Sequence, residues 1–500
     1  MIHGRRLSFW TLPVILALSG GGAAAAQTGQ VPVVPVLHRP ATLDQTLAAG
    51  QYDDIHSLVR ARHADGTATW HDDVFDGVAW LRQDRDAEAE AAFRRAETAA
   101  DAPTKARVVF LELLASLTGG AGPVSERVLN HVIERQPGAI AELPPRLVAA
   151  ALAPAVKEPD KARLDAMIVP LVRLGLGRDD PPSREELVML AVDARLRAGA
   201  SADAAALLAE VYDRDRLEAV LTDRRFTALW PALERRVGPH MDLTDTAAIE
   251  IATRREAVAP DDGRLRRALI HADRVAGRLA EGDRAGADYA VTVSALASLD
   301  EEGSWAVEEH ALVLEALGRI QAADARLAGL EVADVTTHPW LVGQAINRAD
   351  RQVTHGRWDA AEATLARTEL VAGSYGSPYA AQVVRELKLC VARGRNPQAD
   401  VSVLLEPLRA HRADNPSALA AALVCAGDED GAAAVLIAMF ADPASRAAAI
   451  AAVQPPYRPT TDPSALQLRA EALARRPDVL AALEPVGRIL PADLRPAVGR

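Results

Sequence analysis

The stretch Gly356-Arg357-Trp358-Asp359-Ala360-Ala361-Glu362-Ala363-Thr364-Leu365 decides how this chain is read. Glycine ends one run of helix-formers, and a second run starts at once with small and bulky apolar residues at helical spacing. The phrase is Gly, Ala five residues on, and an apolar residue four further. It recurs as Gly318/Ala323/Leu327, Gly282/Ala287/Val291, Gly394/Ala399/Val403 and Gly427/Ala432/Leu436. Successive glycines are 36, 38, 38 and 33 residues apart. Upstream, Gly199, Ala204 and Leu208 fit, and Gly50, Tyr52, Ile55 and Val59 fit loosely. Glycine is favoured where a helix stops, because that residue often turns left-handed. A period of this length predicts stacked helical hairpins, each burying its apolar face against the next.

An earlier unit carries more of the pattern: Gly77, Trp80, Ala89, Phe93 and Ala96. This resembles the tetratricopeptide repeat, which places a small residue, an aromatic, Ala, an aromatic and Ala at those offsets. Asp84 stands where that repeat has Gly at the turn. The resemblance implies an all-α, right-handed α-α superhelix of about ten hairpins across residues 41–450, in two halves. A helical array of no named repeat family is the plainer alternative. The resemblance also implies that the first helix of each hairpin lines a concave face. Counting back from the turns, partner-facing candidates are His71, Val74 and Arg82; Glu186, Asp193 and Arg197; Trp305, Glu308 and Glu315; and Ile346, Asp350 and Lys388. An exposed Trp305 beside carboxylates would anchor a partner well, since aromatics dominate binding hot spots.

Composition agrees with packed helices. Apolar residues make up 49% of the 500 but aromatics only 4%, so alanine and leucine carry the burial. The formal charge of −12 disfavours a phosphate backbone as partner. Basic Arg5 and Arg6, apolar Leu7 to Leu18 and small Gly20 to Ala26 predict a secretory signal peptide, cut after Ala26. The mature chain would be periplasmic or secreted, with no membrane span. Residues 27–40, with three prolines, read as an extended lead-in.

One repeat half spans 41–238 and a second 239–454. The segment Leu217 to Trp230 (LEAVLTDRRFTALW) reads as a closure between them, Asp223 capping and Phe226, Leu229 and Trp230 packing back. Residues 455–500 read as a proline-rich loop, two short helices capped by Ser464 and Asp478, and a loosely ordered tail from Pro485. Between 119 and 161 the register is not fixed by sequence. Cys390 and Cys425 lie one repeat apart. Helices packed at 8–10 Å would hold them beyond bridging reach, so both read as buried small hydrophobes rather than a disulfide.

Signals for chemistry are few. Gly175-Leu-Gly177 and Gly119-Gly120-Ala-Gly122 lack the context and the Lys of a phosphate loop. His56, His63 and His71, near Asp72 and Asp73, are spaced across a break at Gly66 and do not make a metal site. Asp300, Glu301, Glu302, Glu308 and Glu309 read as a solvated, helix-starting face. No catalytic residue, cofactor or metal is expected. The reading is an exported, non-catalytic scaffold holding a protein or extended peptide, in envelope assembly or polysaccharide export by analogy. Alternatives are a carbohydrate-processing enzyme on an α-α superhelix, needing two facing carboxylates, and a module polymerising end to end.

Overall fold

A computed structural model describes residues 42–102, 104–117, 123–158, 160–332, 335–455 and 464–495. The expected signal peptide and lead-in, the glycine run at 119–122 and the prolines of 456–463 lie outside the described residues. The chain divides into two compact units between Glu210 and Val211, not near 238. The Leu217 to Trp230 segment therefore begins the second unit and does not end the first. Among the described residues every regular element is helical, apart from one antiparallel bridge between Asp223 and Gly487. No helix among them is long and apolar enough to cross a membrane.

The first unit holds α1 (Leu43–Ala48), α2 (Tyr52–Ala64), α3 (Trp70–Arg82), α4 (Asp86–Thr98), α5 (Lys105–Ser116), α6 (Pro123–Arg135), α7 (Pro145–Lys157), α8 (Ala162–Arg173), α9 (Pro181–Arg197) and α10 (Ser201–Leu208). They pair in order, and the first helix of each pair also packs on the first helix of the next. Local chemistry explains the best unit. Thr69 and Asp72 form a reciprocal capping box that starts α3. Gly77 is needed because Phe93 of α4 lies against it: a Cβ there would sit 2.5 Å from the ring. Asp84 ends the hairpin turn with φ 58°, a left-handed conformation that Asp tolerates better than most residues.

The second unit opens with α11 (Arg214–Thr222), α12 (Trp230–Val237) and α13 (Asp242–Glu256). Then come α14 (Gly263–Val275), α15 (Leu279–Ala287), α16 (Val293–Ala297), α17 (Glu301–Ala316), α18 (Ile320–Ala328), α19 (Leu341–Thr354), α20 (Trp358–Tyr375), α21 (Pro378–Arg395), α22 (Ser402–Ala410), α23 (Pro416–Ala426) and α24 (Glu429–Ala441). α25 (Arg446–Ala452), α26 (Ala465–Ala474) and α27 (Pro477–Leu483) complete it. Five packed pairs recur here: α14/α15, α17/α18, α19/α20, α21/α22 and α23/α24. From α19 to α27 one apolar core runs unbroken through Leu365, Leu387, Leu423 and Phe440.

Not every glycine of the phrase plays the role expected. Gly318, Gly356 and Gly427 do sit at turns with φ between 67° and 82°. Gly282 lies inside α15, and the turn before it is made by Gly277, φ 79°. Gly394 lies in the last turn of α21, where Trp358 of α20 presses so close that a Cβ would be 2.4 Å from its ring. Both are contact glycines, which a sequence phrase cannot tell from turn glycines.

Further expectations are corrected. Asp478 is inside α27, whose cap position is Arg476; Ser464 does cap α26, with Gln467. The segment from Pro485 to Arg495 is not loose: Leu490 and Leu494 are buried. Cys390 and Cys425 are bridged, with Cα atoms 5.1 Å apart. Interaxial spacing overstates the gap between facing residues, because each Cα stands about 2.3 Å off its axis. Small residues on α23 (Ala418, Ala421, Ala422) let α21 close in.

Cross-linking 35 residues apart restricts the unfolded chain, worth up to about 4 kcal/mol by loop entropy. Cys390→Ser/Cys425→Ser is expected to lower the second unit's denaturant midpoint accordingly. An unchanged midpoint would mean the thiols are not joined in solution.

Candidate functional site

Helices α14, α17 and α19 meet along a polar seam in the second unit. Glu308 accepts from Asn347 Nδ2 and Arg351 Nη2, at 2.8 and 2.9 Å. The other arm of Arg351 reaches Glu315 at 2.9 Å, and His355 lies 3.5 Å from that carboxylate. On the opposite side Glu309 accepts from Arg274 Nε at 2.5 Å and meets His271 at 3.1 Å. The far nitrogen of His271 faces Asp213 at 3.3 Å. Gln344 donates to buried Ser304 at 3.0 Å. Arginines suit this work because a planar fork can engage two carboxylates at once.

Adjacent carboxylates respond in opposite directions. Burial pushes Glu308 up, more than Arg351 and Asn347 pull it down. Burial would raise Glu309 as well, but Arg274 and His271 overcome it and hold the group well below the usual range. Burial alone would lower the His271 ring; Glu309 and Asp213 outweigh it and raise it to about 10. The two carboxylates thus favour the protonated ring of His271.

The residues expected on a concave face fall into distinct classes. Glu308 is buried, 2% exposed, and spans two helices. Reading it and Glu309 as a solvated face is thus corrected: their cations come from Arg351 and Arg274, one repeat away on either side. Asp300 does start a helix, accepting from Gly303 N at 2.8 Å. Glu315 joins the same tie. Val74 and Ile346 belong to the apolar core. Trp305 is half-buried with the Arg267 guanidinium 5.5 Å over its ring. Asp350 is half-buried on α19. Lys388 pairs with exposed Glu369 on α20 at 2.8 Å. In the first unit His71 is exposed at the start of α3, beside Phe75. Arg82 donates to the Ser116 carbonyl at 2.9 Å, tying α3 to α5. Arg197 grips Asp165 of α8. Glu186 and Asp193 are half-buried on α9.

Other buried ions escape a reading of the sequence. Asp72, Asp73 and Asp76 of α3 are all buried. Arg62 meets Asp72, and His63 meets Asp73 at 2.9 Å. Arg95 spans Asp73 and Asp76 at 2.8 and 2.9 Å. His56 bonds Asp76 at 2.7 Å and stacks on Trp80, centroids 3.5 Å apart. His56 and His63 thus take separate aspartates, while His71 faces out. Among the described residues no cluster could hold a metal ion. Glu112 of α5 is fully buried, with Arg135 3.9 Å away, and burial pushes its carboxyl up to about 8 against that arginine's pull. Only helical periodicity of acidic residues hints at these; their partners lie on other helices.

No protein-family model and no curated protein matches the chain. The geometry itself indicates what these side chains do: they position helices. Each buried carboxylate of the α14–α17–α19 seam is engaged by a cation on a neighbouring pair.

Two outcomes follow for stability. Arg351→Met removes the arginine that Glu308 and Glu315 share and is expected to cost about 3–5 kcal/mol. Lys388→Met, at an exposed pair, is expected to cost under about 1 kcal/mol; equal losses in chemical denaturation would refute the distinction. Glu112 binds its proton more tightly folded than unfolded, so the first unit should weaken as pH rises from about 4.5 to about 8. Glu112→Gln should flatten that slope, by an amount on the order of a few kcal/mol at most; a slope identical to wild type would place the titration elsewhere.

Proposed function

We propose that this chain is an exported, non-catalytic scaffold that holds a protein or an extended peptide against the first helices of a tetratricopeptide-like, right-handed superhelix. The observation carrying this reading is the repetition of helix pairs, five in each unit among the described residues, packed on their chain neighbours. Such arrays present long surfaces that suit extended partners. The Gly77–Phe93 contact supports the likeness to that repeat. The Cys390–Cys425 bridge suits an oxidising compartment, in keeping with export. Envelope assembly or polysaccharide export is the setting the likeness suggests.

The buried ties narrow the contact set. Trp305, Asp350, Lys388 and His71 keep some access to solvent, whereas Glu308 does not. The rival reading, a carbohydrate-processing enzyme, gains little from the carboxyls present. Glu112, raised into the range of a general acid, is fully buried and beyond the reach of a sugar.

The mature protein, immobilised and exposed to envelope extract, should retain one defined partner identified by mass spectrometry. Trp305→Ala with Asp350→Arg should cut that retention by about tenfold or more. Retention equal to wild type would remove this face from the reading.

A further inference from the structure

The second unit fastens its own two ends. Backbone N–H of Arg224 donates to Val486 O at 2.9 Å, and N–H of Arg488 donates to Thr222 O at 2.8 Å. These flank the antiparallel bridge of Asp223 with Gly487. Gly487 is required by that approach: a Cβ would lie 2.9 Å from Thr222 O. The Arg488 side chain then does three things. It donates to Leu221 O and to Glu234 Oε1, each at 2.6 Å, and lies 3.7 Å over the Trp230 ring. On the inner side Gln454 donates to Arg488 O at 3.1 Å and accepts from Leu490 N at 2.8 Å.

A strained corner meets the same segment. His240 and Met241 are consecutive non-glycine residues with φ 58° and 61°, a region that L side chains rarely occupy. His240 Nδ1 donates to Arg495 O at 2.6 Å, and Arg214 donates to His240 O at 2.9 Å. The corner is thus held from both sides, by α11 and by the chain's last described residues.

We propose that residues 484–495 act as a latch, which closes the second unit's run of helices on itself and keeps α11, with α12 packed on it, seated against α25. In an open array, terminal helices fray separately, since each contacts only one neighbour. Here the first and last elements share hydrogen bonds across more than 250 residues of sequence. Loosening the latch frees both ends together and leaves the middle pairs packed.

Hydrogen–deuterium exchange on the full chain tests this with Arg488→Ala, the milder Glu234→Gln, and Arg476→Ala as a control at an ion pair outside the latch. Amides of 214–237 and 446–452 are expected to exchange together, about tenfold faster in Arg488→Ala, as suits loss of a charge-assisted hydrogen bond. Glu234→Gln should shift the same peptides less, and 358–410 should not change. Acceleration confined to 484–495, spread evenly over the unit, or matched by the control overturns the proposal. Should Arg488→Ala fail to fold, the Glu234→Gln pattern decides between these outcomes.

Discussion

The recurring helix pairs hide apolar surface by lying against the pair beside them in sequence. That constraint sets the residue types. Two helices can approach closely only where one offers no side chain, so Gly77 meets Phe93 and Gly394 meets Trp358. Alanine does the same along α23, nearly all of which is buried. A single core then extends from α19 to α27. Losing one contact glycine would push its helix away from the neighbour and, through that neighbour, disturb the next pair.

Apolar packing of this kind tolerates sliding, because one alanine face resembles the next. Buried charge does not. Arg351 sits between Glu308 and Glu315, and His271 between Glu309 and Asp213. A slip by one helical turn would strand these groups in a low-dielectric interior, at a cost well above that of any single apolar contact. The ions therefore fix which residue of one pair faces which residue of the next. The opposed shifts of Glu308 and Glu309 arise from the same design: Glu308 shares its one arginine with Glu315, whereas Glu309 meets two cationic groups, Arg274 and His271.

Helical content and turn positions are legible because they depend on neighbours in sequence. Gly318, Gly356 and Gly427 stop helices, and even Asp84 can be placed at a turn from its position alone. Asp223 can be seen to cap, and it accepts from Arg225 N at 2.9 Å. What escapes depends on partners a repeat or more away. Gly282 and Gly394 look like turn glycines until the ring or methyl beside them is known. Glu308 looks solvated until Arg351 is placed. The disulfide is missed when a typical axis spacing stands in for the distance between facing residues. Most remote of all, the tail from Pro485 looks loose because its partners, Leu221 to Glu234, precede it by over 250 residues.

For the proposed scaffold, internal use of charge changes how a partner would be chosen. An arginine committed to two carboxylates has no fork left for a ligand, and a buried glutamate cannot be reached. Recognition then falls to side chains at the margins of the seam, such as Trp305, whose ring is already faced on one side by Arg267. Contacts of that kind depend on shape and on apolar area more than on net charge. They are weakly screened by salt, since screening acts on exposed charges and not on buried aromatic surface. An acidic chain that spends its ions on holding helices in register would thus select by fit, and salt-resistant binding is the property that separates this mode from attraction by its surface charge.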